Sequence, residues 1–146
     1  PLISIGTDVL IPDTYIEDLT VRLSLYRKIA SVYDKASLQD IKVELIDRFG
    51  PIPEKVKNLL QLVELKQISK SINVQKIEAG NKGFSIQFRN NQFSKPEKLI
   101  AWISIQKNKI QLRADHKLVI RLDLSNVAKR AEYLKAKLLQ IKELLD

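Results

Sequence analysis

The stretch KVELIDRFGPIPEKV, residues 42–56, ends one helix, turns the chain rigidly and starts another. Gly50 can supply the left-handed backbone that closes a helix, Pro51 cannot continue that helix, and Pro53 suits a first helical turn, where a missing N–H costs nothing. The angle between two helices is therefore fixed locally. Upstream, Ser37 is expected to cap the first of them, with Asp40 at the capping-box position and Leu38, Ile41, Leu45 and Phe49 as the buried stripe. Downstream, Val56, Leu59, Leu60 and Val63 face inward on a helix running from Pro53 to about Lys70.

Toward the N-terminus, Asp13 or Thr14 can cap a helix reaching about Val32, whose inward stripe reads Ile16, Leu19, Leu23, Tyr26, Ala30 and Tyr33. Leu2, Ile3 and Ile5, then Val9 to Ile11, read as an extended lead-in broken by Gly6. After Lys70 the period changes. Val74 to Ile77 and the alternation Phe84, Ile86, Phe88 flank Gly80-Asn81-Lys82-Gly83, a β-hairpin signal. Pro96 opens a short helix through Ile103, and strands follow at Ile110 to Leu112 and Leu118 to Leu122. Ser125 or Asn126 caps the last helix, where Val127, Ala131, Leu134, Leu138, Ile141 and Leu145 recur every three or four residues. The expected class is α+β: a helical N-terminal half, then a small sheet of hairpins with covering helices and a long C-terminal amphipathic helix.

With 146 residues, 45% hydrophobic and 29% charged, the chain is expected to fold as one domain around one core. No apolar run approaches a membrane span and no signal-peptide pattern opens the sequence, so a soluble, cytoplasmic, membrane-free protein is expected, monomeric in isolation. Zero cysteines remove disulfides, thiolate metal sites and thiol nucleophiles. The absence of methionine and the opening at Pro1-Leu2-Ile3, which reads as mid-strand, lead to an expectation of a fragment of something longer.

The net charge of +8 is unevenly placed. Residues 1–50 hold six basic against eight acidic groups, while the remaining 96 hold 19 against nine. Two electrostatic faces follow, one suited to a basic partner and one to an acidic partner. Asp40, Glu44 and Asp47 lie at i, i+4 and i+7, so three carboxylates share one helix face. They repel by a few tenths of a kcal/mol per pair. A solvated face offset by Lys42 and Arg48 explains them as well as a binding face does. His116, the single histidine, falls in a turn-like sequence, Ala114 to Lys117, and reads as a solvated turn residue. No glycine pattern suits a phosphate loop, so no catalytic, cofactor or metal site is expected. Lysines and arginines scattered through residues 51–146 could track a phosphate backbone, but Phe84, Phe88 and Trp102 read as core rather than as stacking platforms. The last helix could serve as a partner helix, since its stripe is long and its other face carries Lys129, Arg130, Lys135, Lys137 and Lys142, but packing on its own sheet is the favoured reading.

Together with IPDTYIED at residues 11–18 and RLSLYRKIAS at residues 22–31, the DRFGPIP segment resembles the C-terminal domain of the bacterial transcription-repair coupling factors. The three blocks occur in order within the first sixty residues; no motif is matched in the second half. The resemblance implies a single non-enzymatic regulatory domain, residues 1–146, of an ATP-driven DNA translocase that displaces stalled RNA polymerase. ATP and magnesium would belong to the parent, outside this chain. It also implies that the domain packs on the parent's N-terminal module for recognising UvrA, the damage-recognition subunit of excision repair, and hides it. Glu44 and Asp47 fall where the family places carboxylates facing arginines of that module, with Asp40 a peripheral third. The alternative is a basic nucleic-acid-binding module contacting DNA through residues 51–146.

Overall fold

In the computed structural model, which describes residues 1–146, five α-helices and one five-stranded sheet are formed. The class is α+β, as the change of period at Lys70 implied. The chain divides into two compact units, Thr7–Gln67 and the pair of segments Pro1–Gly6 with Ile68–Asp146.

The first unit is helical. It contains α1 (Leu19–Ala30), α2 (Lys35–Phe49) and most of α3 (Glu54–Ser71). Its core gathers Ile11, Ile16, Leu25, Ile29, Leu38, Ile41, Leu45, Val56 and Leu60. The stripes expected for α2 and α3 are the ones buried, with Phe49, Leu59 and Val63 half-buried against that core. Helix α1 departs from expectation in start and in phase. Residues 13–15 form a turn, with Tyr15 and Ile16 N–H groups donating to Pro12 O, and the helix begins only after Asp18, whose carboxylate accepts from Val21 N–H at 3.0 Å. Leu25 and Ile29 point inward, whereas Leu19 and Leu23 are exposed. Val9 to Ile11 forms no strand; Leu10 N–H instead donates to Lys55 O. Ser37 does not cap α2. Asp34 does, accepting from Ser37 N–H at 2.7 Å, and this leaves Asp40 outside the cap.

The second unit carries the sheet, in the order β1 (Leu2–Ser4), β2 (Val74–Gly80), β3 (Gly83–Phe88), β5 (Leu118–Arg121), β4 (Ile110–Leu112). Strand β1 runs parallel to β2, and every other pairing is antiparallel. Alternation assigns Ile77, Phe84, Ile86, Leu118 and Ile120 to the buried face and Glu78, Ser85 and Val119 to the opposite one. Helix α4 (Pro96–Ser104) buries Leu99 and Trp102, and α5 (Val127–Leu145) buries Ala131, Leu134, Leu138, Ile141 and Leu145. Each of these large apolar side chains contributes about 1.5–3 kcal/mol by leaving water. The hairpin turn depends on Gly83 at φ 142, where an added Cβ would collide with the backbone carbonyl of Ile120 on β5.

Arg130, on the basic face of α5, is buried and only 4% exposed. Its guanidinium donates to Leu124 O at 2.8 Å, to Ile5 O at 2.8 Å and to Asn81 Oδ1 at 2.7 Å. Backbone and amide dipoles, with no carboxylate, replace its hydration and tie α5 to the end of the β1 segment and to the β2–β3 turn. Nor does a side chain cap α5. Asn126 occupies the cap position without such a bond, while Ser125 is bonded to Asp123.

Two substitutions test this packing by urea unfolding. Ser69 Oγ is fully buried with no hydrogen-bond partner, so Ser69→Ala is expected to raise stability by about 0.5–1 kcal/mol, through removed desolvation and better helix propensity. Gly83→Ala is expected to lower it by about 2–3 kcal/mol, because strain adds to a backbone clash.

Candidate functional site

The acidic face is built by the way α2 ends. Gly50 adopts φ 89 at the C-cap and its N–H donates to Ile46 O at 3.0 Å. The Tyr15 hydroxyl approaches Gly50 O at 2.9 Å and Leu45 O at 3.2 Å, so one phenol engages the last turn and the residue that ends it. Burial raises the pKa of Tyr15, which keeps the proton that makes it a donor. Its ring lies 5.8 Å from that of Phe49, and the Arg48 guanidinium lies 4.8 Å from the Phe49 ring centroid. The last turn of α2 is thus held by Tyr15 through both its hydroxyl and its ring.

The three carboxylates on this helix differ in their surroundings. Glu44 is 26% exposed, and each of its oxygens has a cation: Lys28 of α1 on Oε1 and Arg48, one turn along α2, on Oε2 at 3.0 Å. The hydrogen bond from Lys28 is the main reason its pKa falls below the ordinary glutamate value. Asp40 and Asp47 are exposed and make no ion pair. Asp40 and Glu44 line a cavity of about 250 Å³ with Lys28, Ser31, Tyr33 and Ser37; Asp47 lies outside it. Val43 and Ile46, 48% and 51% exposed, lie among these acids. The sequence reading passed over them, although their signal was present: both are apolar and both fall outside the Leu38, Ile41, Leu45, Phe49 stripe.

Elsewhere, Phe84, Phe88 and Trp102 are buried, and His116 is exposed in its turn at φ 67. No group of three or more histidines and carboxylates is placed to hold a metal ion, and no helix is long and apolar enough to cross a membrane.

The chain thus joins a helical unit, whose acidic helix α2 is closed by Gly50 and Pro51, to a unit carrying a mixed five-stranded sheet, an α+β composition. Comparison with known proteins agrees. The family model of the TRCF domain matches residues 5–99. The chain is 41% identical over 133 residues to the transcription-repair-coupling factor of Haemophilus influenzae, covering 90% of this chain and 11% of that protein. It is 34% identical over 134 residues to the Escherichia coli transcription-repair-coupling factor, covering 92% and 12%. A crystal structure of the C-terminal domain of a transcription-repair coupling factor superposes with a TM-score of 0.73 at 26% identity, covering 99% of this chain and 94% of that one. The chain belongs to the transcription-repair coupling factor family and corresponds to its C-terminal domain. It spans about a tenth of the length of the curated relatives it matches.

The Glu44 ion pairs give a pH signature. Because folding holds this carboxyl below its ordinary value, its contribution is complete at neutral pH and is lost as the pH falls through the folded-state value. Glu44→Gln should therefore be less stable than the parent at about pH 7, by at most about 1 kcal/mol for so accessible a pair, with the gap closing as the pH falls below the ordinary glutamate range and through the lowered folded-state value. Urea midpoints across that range decide the matter, and a gap independent of pH would contradict the assignment.

Proposed function

We propose that this chain is a non-catalytic regulatory domain that docks, through the outer face of α2, on the N-terminal UvrA-recognition module of its own protein and masks it. The observation that carries this reading is the composition of that face: exposed Val43 and Ile46 among Asp40 and Asp47, two carboxylates with no cation of their own. An apolar centre with a charged rim is how protein interfaces are built. Arginines on the partner could grip Asp47 in the bidentate geometry that guanidinium and carboxylate share. Asp40 would contribute from the far end of the face. Glu44, already held by Lys28 and Arg48, can accept a partner arginine only by exchanging one of them. It therefore orients the face as much as it binds.

A weak contact suffices for masking. Two domains of one chain meet at an effective concentration of about 1 mM, so an intrinsic Kd of about 1 μM keeps the pair closed about a thousandfold over open. Opening then costs about 4 kcal/mol, which a competing interaction elsewhere in the parent can supply. In this reading the trigger is the engagement of the ATP-driven parent with DNA and stalled RNA polymerase, and the released module recruits UvrA.

Titration of residues 1–146 against the isolated N-terminal module should give micromolar affinity. Asp47→Lys is expected to weaken it at least tenfold, and Glu44→Gln less. Affinity that is indifferent to reversal at Asp47 would remove α2 as the docking surface.

A further inference from the structure

The sheet-bearing unit has a second charged surface, of opposite sign. A cleft of about 590 Å³ is lined by four cations from four separate segments: Lys82 in the β2–β3 turn, Lys109 just before β4, Arg121 at the end of β5 and Lys137 on α5. None of the four makes an ion pair within the chain. The backbone fixes the roots of three of them, since Arg121 N–H donates to Lys109 O at 2.7 Å and Leu122 N–H to Lys82 O at 3.0 Å.

Asp123, the one acidic residue lining the cleft, is turned to another task. Its carboxylate accepts from Ser125 N–H at 3.0 Å and from Ser125 Oγ at 2.5 Å, and the hydroxyl bond holds its pKa below the usual aspartate value. Four positive charges thus face one negative charge in a concave site, where field lines concentrate. A second open cavity, of about 670 Å³, shares Lys82 and Arg121 with the first and adds Arg113, which is paired with Asp115 at 3.5 Å, and the carboxylate of Glu78, so the excess of unpaired base is concentrated in the first cleft.

We propose that this cleft binds the phosphate backbone of a nucleic acid, without sequence preference. Lysine suits phosphate as a point charge, whereas protein interfaces are depleted in lysine and rely on aromatic anchors. No aromatic lines the cleft; of its apolar residues Ile110 and Ile120 are buried and Leu122 is half-buried. With nothing to stack on bases, recognition is confined to charge and carries no base readout. The proposal concerns a different unit from the masking face and stands or falls independently of it.

The test is fluorescence anisotropy of residues 1–146 with a labelled mixed-sequence DNA duplex of about 20 base pairs, between about 50 and 200 mM salt. Two cleft variants are compared, Lys109→Gln/Arg121→Gln and Lys82→Gln/Lys137→Gln, so that misfolding of one does not decide the result. Lys55→Gln/Lys57→Gln, on exposed positions of α3, removes equal charge elsewhere. Each cleft variant is expected to lose about tenfold in affinity at low salt and to flatten the log–log salt slope by about 1.8, as the loss of two phosphate contacts requires. An equal loss in the α3 variant would show attraction by net charge and overturn the site. Polyglutamate of matched charge binding as tightly as the duplex would overturn nucleic acid as the ligand in favour of an acidic protein segment.

Discussion

The contact between the Tyr15 hydroxyl and the carbonyls of Leu45 and Gly50 is the constraint on which the helical unit depends. A helix that ends at glycine leaves carbonyls without intrahelical donors, and an unbraced Gly-Pro turn could pivot. Here a phenol from the segment before α1 reaches the end of α2, while Phe49 packs its ring beside that same tyrosine. The direction of α2 is then set, and with it the direction in which Asp40, Val43 and Asp47 face solvent. An interaction surface made of short side chains needs this rigidity, since aspartate and valine have little reach with which to correct a misplaced backbone.

The two units divide the electrostatics of the chain. The helical unit is nearly balanced, with ten acidic against nine basic residues, and its acids gather on α2, where lysine and arginine hold Glu44 but leave its neighbours free. Excess base belongs to the sheet unit, where the one carboxylate lining the cleft is held by a serine. In the first case two internal cations hold one carboxylate of an acidic group; in the second, serine donors hold the one carboxylate among the cations, and the remaining charges are left for solvent or a partner. Net charge by itself would have suggested a uniformly basic protein.

Much of this was legible in the sequence, and what was not has identifiable causes. The DRFGPIP turn, the buried stripes of α2, α3 and α5, and the β2–β3 hairpin follow from strong local signals. Helix α1 did not, because LTVRLSLYRKIA carries two competing apolar phases, Leu19-Leu23-Tyr26 and Val21-Leu25-Ile29, and only tertiary contact selects between them. The burial of Arg130 was invisible for a related reason: its acceptors Ile5, Asn81 and Leu124 are brought to it by the fold. At the acidic face the residue types and their spacing were readable, but not which carboxylate already had partners. The Lys28–Glu44 pair joins two helices, and no pattern within either one specifies it.

Strand β1 has a consequence for how the molecule assembles. Ile3 pairs with Ile77, so the connection that makes β1 parallel to β2 is the entire helical unit. Closing a loop of about 70 residues costs about 4 kcal/mol in chain entropy by the logarithmic rule, against only three residues of pairing gained. That exchange becomes favourable only once the intervening helices have formed and shortened the effective loop, whereas the β2–β3 hairpin closes through a two-residue turn and can form early. β1, one of the two edge strands, is therefore expected to dock late in folding and to open early in local unfolding, with Arg130 bonded to Ile5 as its clasp.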